Sequence, residues 1–517
     1  LKAPIAQGGV GFQGLVLSDW WAMPGDQESP DTAFAQDQTE EALQAGLDIE
    51  LPWTLHYSLP TLAKADQSLV DEAARRVLTQ KYRFNSAKTS DGWGRKAATS
   101  TLSSGSIRAN EAHEALAEEV ELKSAVLLVN GTADSAVLPF TSATTQIAVI
   151  GPDEDFELLT STVPKSCGTG STSSRACTFH FATDPALGDR GSNRANADPA
   201  RSIGPFAGIQ AAAGASRHVT SGNSAEAAAD ADAVVVVVGY TPGDEGEEYT
   251  IAAGGDRHTL SLPQGQEQFV NSVLDLNKPT VIIVESGSIV NLPWLTHANK
   301  NQATVWAGYG GVRGGAALGK LIFGAANFAG KIPLAWPTQA QLDLTRFTDS
   351  ATSTQMGYFF GYREYDRQKA AGLPVALVFP FGHGLSYSSF KYSTLTVPCE
   401  TATKDAILNV TVDIENSSTV DGDEIAMLFV KPPPKPAGVT GDRPVKELKS
   451  FARVSVPAGE GMVAVLPLRI RDLRRWEGGE NGKWRIDSGS YTILVGKNAD
   501  DAEAAGPQGV LVVQGDD

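Results

Sequence analysis

The sequence predicts a multidomain fold: a short strand–helix segment, then a largely parallel α/β sheet with helices on both faces, then an antiparallel β-sandwich. Three observations carry this prediction. A chain of 517 residues is enough for about three or four domains. Its middle holds uninterrupted Val/Ile runs separated by helical patterns, which is how strands buried on both faces read. After Cys399 the runs give way to short alternating strands with turn residues between them, which is how half-exposed antiparallel strands read.

Residues 1–86 read as strand, loop and helix. "DTAFAQDQTEEALQAGLDIELP" has helical spacing and should end its helix at Gly46, and "SLVDEAARRVLTQKYRF" predicts a second helix capped near Ser68. Residues 87–109 include "KTSDGWGRKAATSTLSSGS", polar, Gly/Ser-rich and aperiodic, and read as a linker. Residues 110–390 open with the helix "NEAHEALAEEVELKS" and continue with the strands "AVLLVN", "TTQIAVIGP", "ADAVVVVVGY", "PTVIIVESG" and "ATVWAGY". The helix "GGAALGKLIFG" lies between the last of these and "GKIPLAW". Residues 391–517 hold "ILNVTVDIENS", "DEIAMLFVKPPP", "GMVAVLPLRI", "GSYTILVGK" and "GVLVVQG", the strands of the sandwich.

Composition narrows the function classes. Sixty acidic against 42 basic residues give a net charge of −18, which argues against a nucleic-acid or anionic-membrane partner and leaves a neutral substrate such as a sugar unaffected. No run reaches the roughly 18 apolar residues that span a bilayer. The chain opens "LKAPIAQGG" without a Met, so the true N-terminus is expected to be missing or processed. Cys167, Cys177 and Cys399 show neither CxxC nor zinc spacing; Cys167 and Cys177 flank a Gly/Ser loop and read equally as a disulfide or as two free thiols.

Two places carry carboxylates in positions that chemistry could use. In "GLVLSDWW", Asp19 stands at the mouth of a strand with Trp20 and Trp21 beside it, where barrel enzymes place catalytic groups, although an aspartate there also serves to cap a turn. In "GYTPGDEGEEYTIAAGGDRHTLSLP", Asp244, Glu245, Glu247 and Glu248 crowd one loop after the Val-rich strand. Such a run is commonly a solvated loop, and the calcium pattern D-x-[DN]-x-[DN]-G is absent from it. Two carboxyl groups from different elements facing one site would instead serve retaining glycoside hydrolysis. There is no G-x-G-x-x-G after "IAVIGP", and no Walker A, G-x-S-x-G or HExxH motif.

The succession "GFQGLVLSDWWA", "AGLDIELP", "IAVIGP", "GGDRHTLSLP", "GKIPLAWP", "FFGYREYD", "FPFGHGLSYSSFKYS" and "RPVKELKSFARV…GSYTILVG" resembles glycoside hydrolase family 3, and is most similar to its three-domain β-glucosidases. The resemblance runs over essentially the whole chain, and "FPFGHGLSYSSF" is highly specific. It implies that residues 1–86 are the C-terminal remnant of a (β/α)8-type barrel, that an α/β/α sandwich follows, and that the last domain is fibronectin type III-like. It implies Asp19 as nucleophile and Trp20 as a wall of the leaving-group subsite. The family's G-E-G-Y aligns with "GEEY", which picks Glu247 as acid/base, with Glu245 and Glu248 as rivals because Glu248 stands where the motif has glycine. The Asp, Arg and Lys-His residues that grip the non-reducing sugar belong to earlier strands, so the chain is expected to be an N-terminally truncated fragment of a longer enzyme.

The expected activity is release of terminal non-reducing β-D-glucose from oligosaccharides and β-glucosides, with retention and with no metal or organic cofactor. A β-xylosidase, another exo-glycosidase of the family, or a non-catalytic carbohydrate-binding fragment are the alternatives. A secreted or periplasmic location is expected.

Overall fold

The computed structural model describes residues 2, 11–20, 22–23, 33–51, 56–83, 110–132, 135–158, 175–186, 201–241, 244, 259–263, 265–342, 359–435, 443–477 and 482–516. The chain forms two units: residues 1–109 with 476–484, and residues 110–475 with 485–517. The linker expected at 87–109 lies outside the described residues.

In the first unit, strand β1 (Leu17–Trp20) pairs in parallel with β2 (Ile49–Leu51), and helix α1 (Ala33–Ala45) runs between them. Gly46 ends α1 as expected, because its φ of 90° is one that a side chain resists. Helix α2 (Gln67–Arg83) starts one residue before Ser68. The cap lies near Ser68, as expected: it is Asp66, whose Oδ1 accepts from Ser68 N at 2.8 Å and from Ser68 Oγ at 2.7 Å. Met23, Leu43, Tyr57, Ala65 and Ala73 make the small core under this pair of strands.

The second unit is built on a six-stranded sheet. Its strands are β3 (Val126–Asn130), β4 (Gln146–Ile150), β7 (His218–Gly222), β8 (Ala233–Gly239), β9 (Thr280–Glu285) and β10 (Gln302–Trp306), in the order β3-β10-β9-β8-β4-β7. All pairs are parallel except β10 with β3. Successive side chains of a strand point to opposite faces, so Val235 and Val237 enter one core while Val234, Val236 and Val238 enter the other. Helix α3 (Glu111–Ser124), α4 (Pro205–Ala213) and α6 (Gly314–Ile322) cover the first face, and α5 (Gln266–Leu274) covers the second. Helices α4 and α6 approach so closely that a Cβ on Gly208 would stand 1.8 Å from Gly315 O, a contact only glycine permits. An antiparallel hairpin, β5 (Asp153–Leu158) with β6 (Arg175–His180), leaves the sheet after β4.

The segment that reads "FPFGHGLSYSSF" ties this sheet to the sandwich that follows. His383 stacks on Phe379 with ring centres 4.4 Å apart and donates from Nε2 to Leu128 O at 2.8 Å. Tyr387 Oη donates to Leu321 O at 2.8 Å. Asn327 accepts from Tyr387 N at 2.8 Å and donates to Asp421 O at 2.9 Å, so one amide holds both sides of the joint.

Two short strand pairs, β11 (Trp336–Pro337) with β12 (Leu377–Phe379) and β19 (Arg475–Glu477) with β20 (Lys483–Arg485), stand apart from the larger sheets. The sandwich has a three-stranded sheet of β13 (Phe390–Thr396), β15 (Ile407–Asn416) and β18 (Gly461–Arg469). It faces a five-stranded sheet of β14 (Thr401–Thr403), β22 (Gln508–Gln514), β21 (Gly489–Gly496), β16 (Gly422–Lys431) and β17 (Glu447–Val456). Every pair is antiparallel except β14 with β22. Leu408, Val410, Val412 and Ile414 alternate inward from β15. Strand β16 is buried on both faces, since Met427 and Phe429 pack away from the sandwich core, against Tyr362 and Phe381.

Two expected outcomes follow from groups buried in this unit. The Lys446 side chain is fully buried between Asp366 at 2.8 Å and Glu503 at 2.9 Å. Lys446→Ala leaves Asp366 inside without its cation and should cost about 3–5 kcal/mol, read as a fall in melting temperature on the order of 10 °C. Lys446→Met keeps the stem packed and should lose less.

Glu121 of α3 is 4% exposed, its Oε1 has no hydrogen-bond partner, and burial pushes its carboxyl from 4.5 up to about 8. The unfolded chain releases this proton near 4.5 and the folded one near 8, so the folded state binds more protons between those values and stability falls as pH rises through them. Glu121→Gln should therefore raise the melting temperature relative to the parent at pH 8 and give no such gain at pH 4, measured by thermal unfolding across that range.

Candidate functional site

Asp19 owes its position to two buried carboxylates of the neighbouring strand. The Asp48 side chain is fully buried; its Oδ2 accepts from Val16 N at 2.8 Å and from Lys2 Nζ at 2.7 Å, and its Oδ1 accepts from Arg76 Nε at 2.7 Å. Asp48 N in turn donates to Val16 O at 2.8 Å. Glu50 accepts from His56 N at 2.9 Å, Tyr57 N at 2.8 Å and His56 Nδ1 at 2.9 Å, closing the chain back after β2. The ladder between β1 and β2 is irregular between Leu17 and Trp20, and there Ser18 Oγ accepts from Leu51 N at 2.8 Å. Ser18 turns inward and Asp19 faces outward, exposed. Ala22 N closes the following turn onto the Asp19 backbone O at 3.4 Å. The Trp20 backbone is paired with Leu51, while its side chain and Trp21 lie outside the described residues.

The acidic loop begins where β8 ends, in the second unit. A Cβ on Gly239 would stand 2.0 Å from Glu285 O, and its φ of 159° sits at the edge of the region that favours glycine. Tyr240 N donates to Glu285 O at 3.0 Å, and Tyr240 Oη donates to Ser261 O at 2.8 Å. Asp244 Oδ2 accepts from Thr241 N at 2.6 Å and Thr241 Oγ1 at 2.7 Å, so the first acid of the run is used within its own turn. Glu245, Glu247 and Glu248 lie outside the described residues. So does Cys167, together with the side chain of Cys177; Cys399 is a half-buried free thiol.

Two residues that the sequence reading passed over meet at the base of this loop. Gln266, the first residue of α5 and 1% exposed, accepts from Gly239 N at 2.8 Å and donates from Nε2 to Gly239 O at 2.8 Å and to Glu154 Oε1 at 2.6 Å. Burial, with a further contribution from the Asp244 charge, raises Glu154 to about 7 against the opposing hydrogen bond from Gln266. The sequence did carry one signal for Gln266: it shares a helix face with Val270 and Val273, a polar residue at the head of an apolar stripe. Among the described residues no group of three or more His, Cys, Asp or Glu side chains is placed to hold a metal ion. No helix among them is long and apolar enough to cross a membrane.

Comparison with known proteins places these features in a family. Residues 125–387 match the glycosyl hydrolase family 3 C-terminal domain, and residues 424–499 match the fibronectin type III-like domain. A protein of Neosartorya fischeri named "Probable beta-glucosidase I" is 33% identical over 300 residues, which are 56% of this chain and 34% of that protein. The chain thus spans about a third of the length of the curated relatives it matches. The solved β-glucosidase D2-BGL of Chaetomella raphigera superposes with a TM-score of 0.76 at 24% identity, over 98% of this chain and 69% of that one. The family 3 β-glucosidase of Bifidobacterium adolescentis does so with a TM-score of 0.70 at 24% identity, over 98% of this chain and 65% of that one. These structural likenesses are likenesses of fold; the family is carried by the match over 125–387, half of the chain, and the chain belongs to glycosyl hydrolase family 3.

Proposed function

We propose that the protein is a retaining β-glucosidase that releases terminal non-reducing β-D-glucose from oligosaccharides and β-glucosides. The observation that carries the reading is an exposed aspartate at the end of a short parallel strand, in the family's S-D-W motif, in a chain whose relatives are named β-glucosidases. Solved fold relatives from Listeria innocua hold glucose in one case and laminaribiose in another, which supports a β-glucoside as substrate class.

In this proposal residues 1–86 are the last part of a (β/α)-type barrel, residues 110–390 the α/β sandwich and residues 391–517 the fibronectin type III-like domain. Asp19 attacks the anomeric carbon while the bond to the departing oxygen breaks, and Glu247 gives that oxygen its proton. Water then gives a proton to Glu247 and attacks the same carbon, which frees Asp19 and returns glucose with its β configuration. Trp20 walls the leaving-group side. No step calls for a metal or organic cofactor. A secreted or periplasmic location fits a substrate released from external glucans.

Asp19→Ala in the full-length protein should lower turnover of 4-nitrophenyl β-glucoside by more than about 10^4-fold while the melting temperature stays near that of the parent. A 2-deoxy-2-fluoroglucoside should label Asp19, seen by peptide mass mapping; a label on another carboxylate overturns the assignment. Glu247→Ala should cost about 10^2–10^4-fold on cellobiose and much less on activated aryl glucosides. Azide should then restore the aryl reaction and yield β-glucosyl azide. If Glu245→Ala behaves this way and Glu247→Ala does not, the acid is Glu245.

A further inference from the structure

We propose that Gln266 and Glu154 are positioning residues for the general acid, fixing the point at which the loop bearing Glu245, Glu247 and Glu248 leaves the sheet. The inference rests on the reading above, in which that loop supplies the proton donor. Its own support is geometric. The Gln266 amide holds both backbone groups of Gly239, N–H and C=O, at 2.8 Å each. Gly239 is the last residue of β8, so these two bonds occupy the place where a further ladder partner would otherwise stand.

A primary amide is suited to this task because it both donates and accepts without carrying charge. Leucine would leave two buried backbone groups unpaired, and glutamate would offer no donor to Gly239 O. The second Nε2 hydrogen goes to Glu154, which belongs to β5 of the hairpin that leaves the sheet after β4. Three elements that are distant in sequence (β5, the end of β8 and the head of α5) are thereby fastened at one point. At Gln266 the site is 1% exposed, so water does not compete for these bonds.

The loop's two ends are also fastened to each other. Tyr240 Oη donates to Ser261 O at 2.8 Å, across the 20 residues that separate entry from exit. On the exit side Leu260 N donates to Gln339 Oε1 at 3.1 Å, and Asn291 N donates to Leu260 O at 2.6 Å. Gln266 thus holds the strand end, and the Tyr240–Ser261 bond next to it fixes entry relative to exit. A proton donor must come within hydrogen-bond reach of the glycosidic oxygen, and a displacement of about 1 Å at such a group can cost on the order of 10^2-fold in rate.

The test compares two substrates in the full-length protein. Gln266→Leu should lower kcat/KM, which reports the glycosylation step alone, on cellobiose by about 100-fold and on 2,4-dinitrophenyl β-glucoside, whose leaving group needs little protonation, by less than about 3-fold. Hydrogen exchange of the peptide covering 240–261 should speed up in the same variant. Glu154→Ala should show the same split more weakly, with at least part of the loss recovered in Glu154→Gln, which keeps an oxygen to accept from Gln266. An equal fall on both substrates, or no fall, overturns the positioning role. Should Gln266→Leu not fold, the Glu154 pair decides, since it leaves both bonds to Gly239 in place. Glu247→Ala run alongside separates the two questions. If it or Glu245→Ala shows azide rescue while the Gln266 and Glu154 variants show no split, the positioning role fails alone; if neither glutamate variant shows rescue or split, the parent reading fails as well.

Discussion

Strands β4, β8 and β9 are buried on both faces, and that double burial governs the second unit. Val234 to Val238 are all fully buried, and alternate residues of the same strand feed two separate cores. A strand with no solvent face must be covered by other elements on each side, which requires long connections and places helices above and below the sheet. It also leaves only the strand ends for polar groups to gather. Gly239, Tyr240 and Glu285 stand there, at the carboxyl ends of β8 and β9, and the chain leaves for the acidic run from the same place.

Polar side chains inside this apolar frame occur at joints. Asn327 fastens the sheet domain to the sandwich, Gln266 fastens β8 to β5, and Lys446 holds the helix of residues Tyr362–Ala370 to the sandwich through Asp366. The physical logic is shared. Hydrophobic contact is non-directional, so it brings layers together without fixing their register. A buried amide or ion pair tolerates few geometries, because each unpaired group costs about 1–3 kcal/mol.

The buried carboxyls show the opposite situation. Asp48 is met by Val16 N, Lys2 and Arg76 and ties the start of β1 to β2, and Glu50 is met by the His56 ring and the backbone N–H groups of His56 and Tyr57. Glu121 and Glu285 each keep one oxygen without a partner, and burial pushes both upward, Glu285 further by the charges of Glu121 and Asp184. In an acidic chain of net charge −18 these groups are best accommodated as neutral acids, and that makes the second unit sensitive to rising pH.

The sequence by itself determined the large divisions of this protein. Val/Ile runs announced the parallel sheet, alternation after Cys399 announced the sandwich, and Gly46 announced the end of α1; the S-D-W motif nominated Asp19 as a candidate. Each is a local signal, set by periodicity or by one residue's backbone freedom. Tertiary structure alone decided the rest. A strand buried on both faces reads the same in either direction, so the antiparallel placement of β3 at the sheet edge left no mark in its apolar run. The pairing of β14 with β22 spans more than 100 residues, and no local pattern encodes a parallel partner at that distance. Glu154 and Gln266 are 112 residues apart, and they meet only because folding sets their side chains 2.6 Å apart over the end of β8. A buried hydrogen bond is a property of two positions in space, and sequence spacing fixes such a pair only when both lie on one helix or one strand.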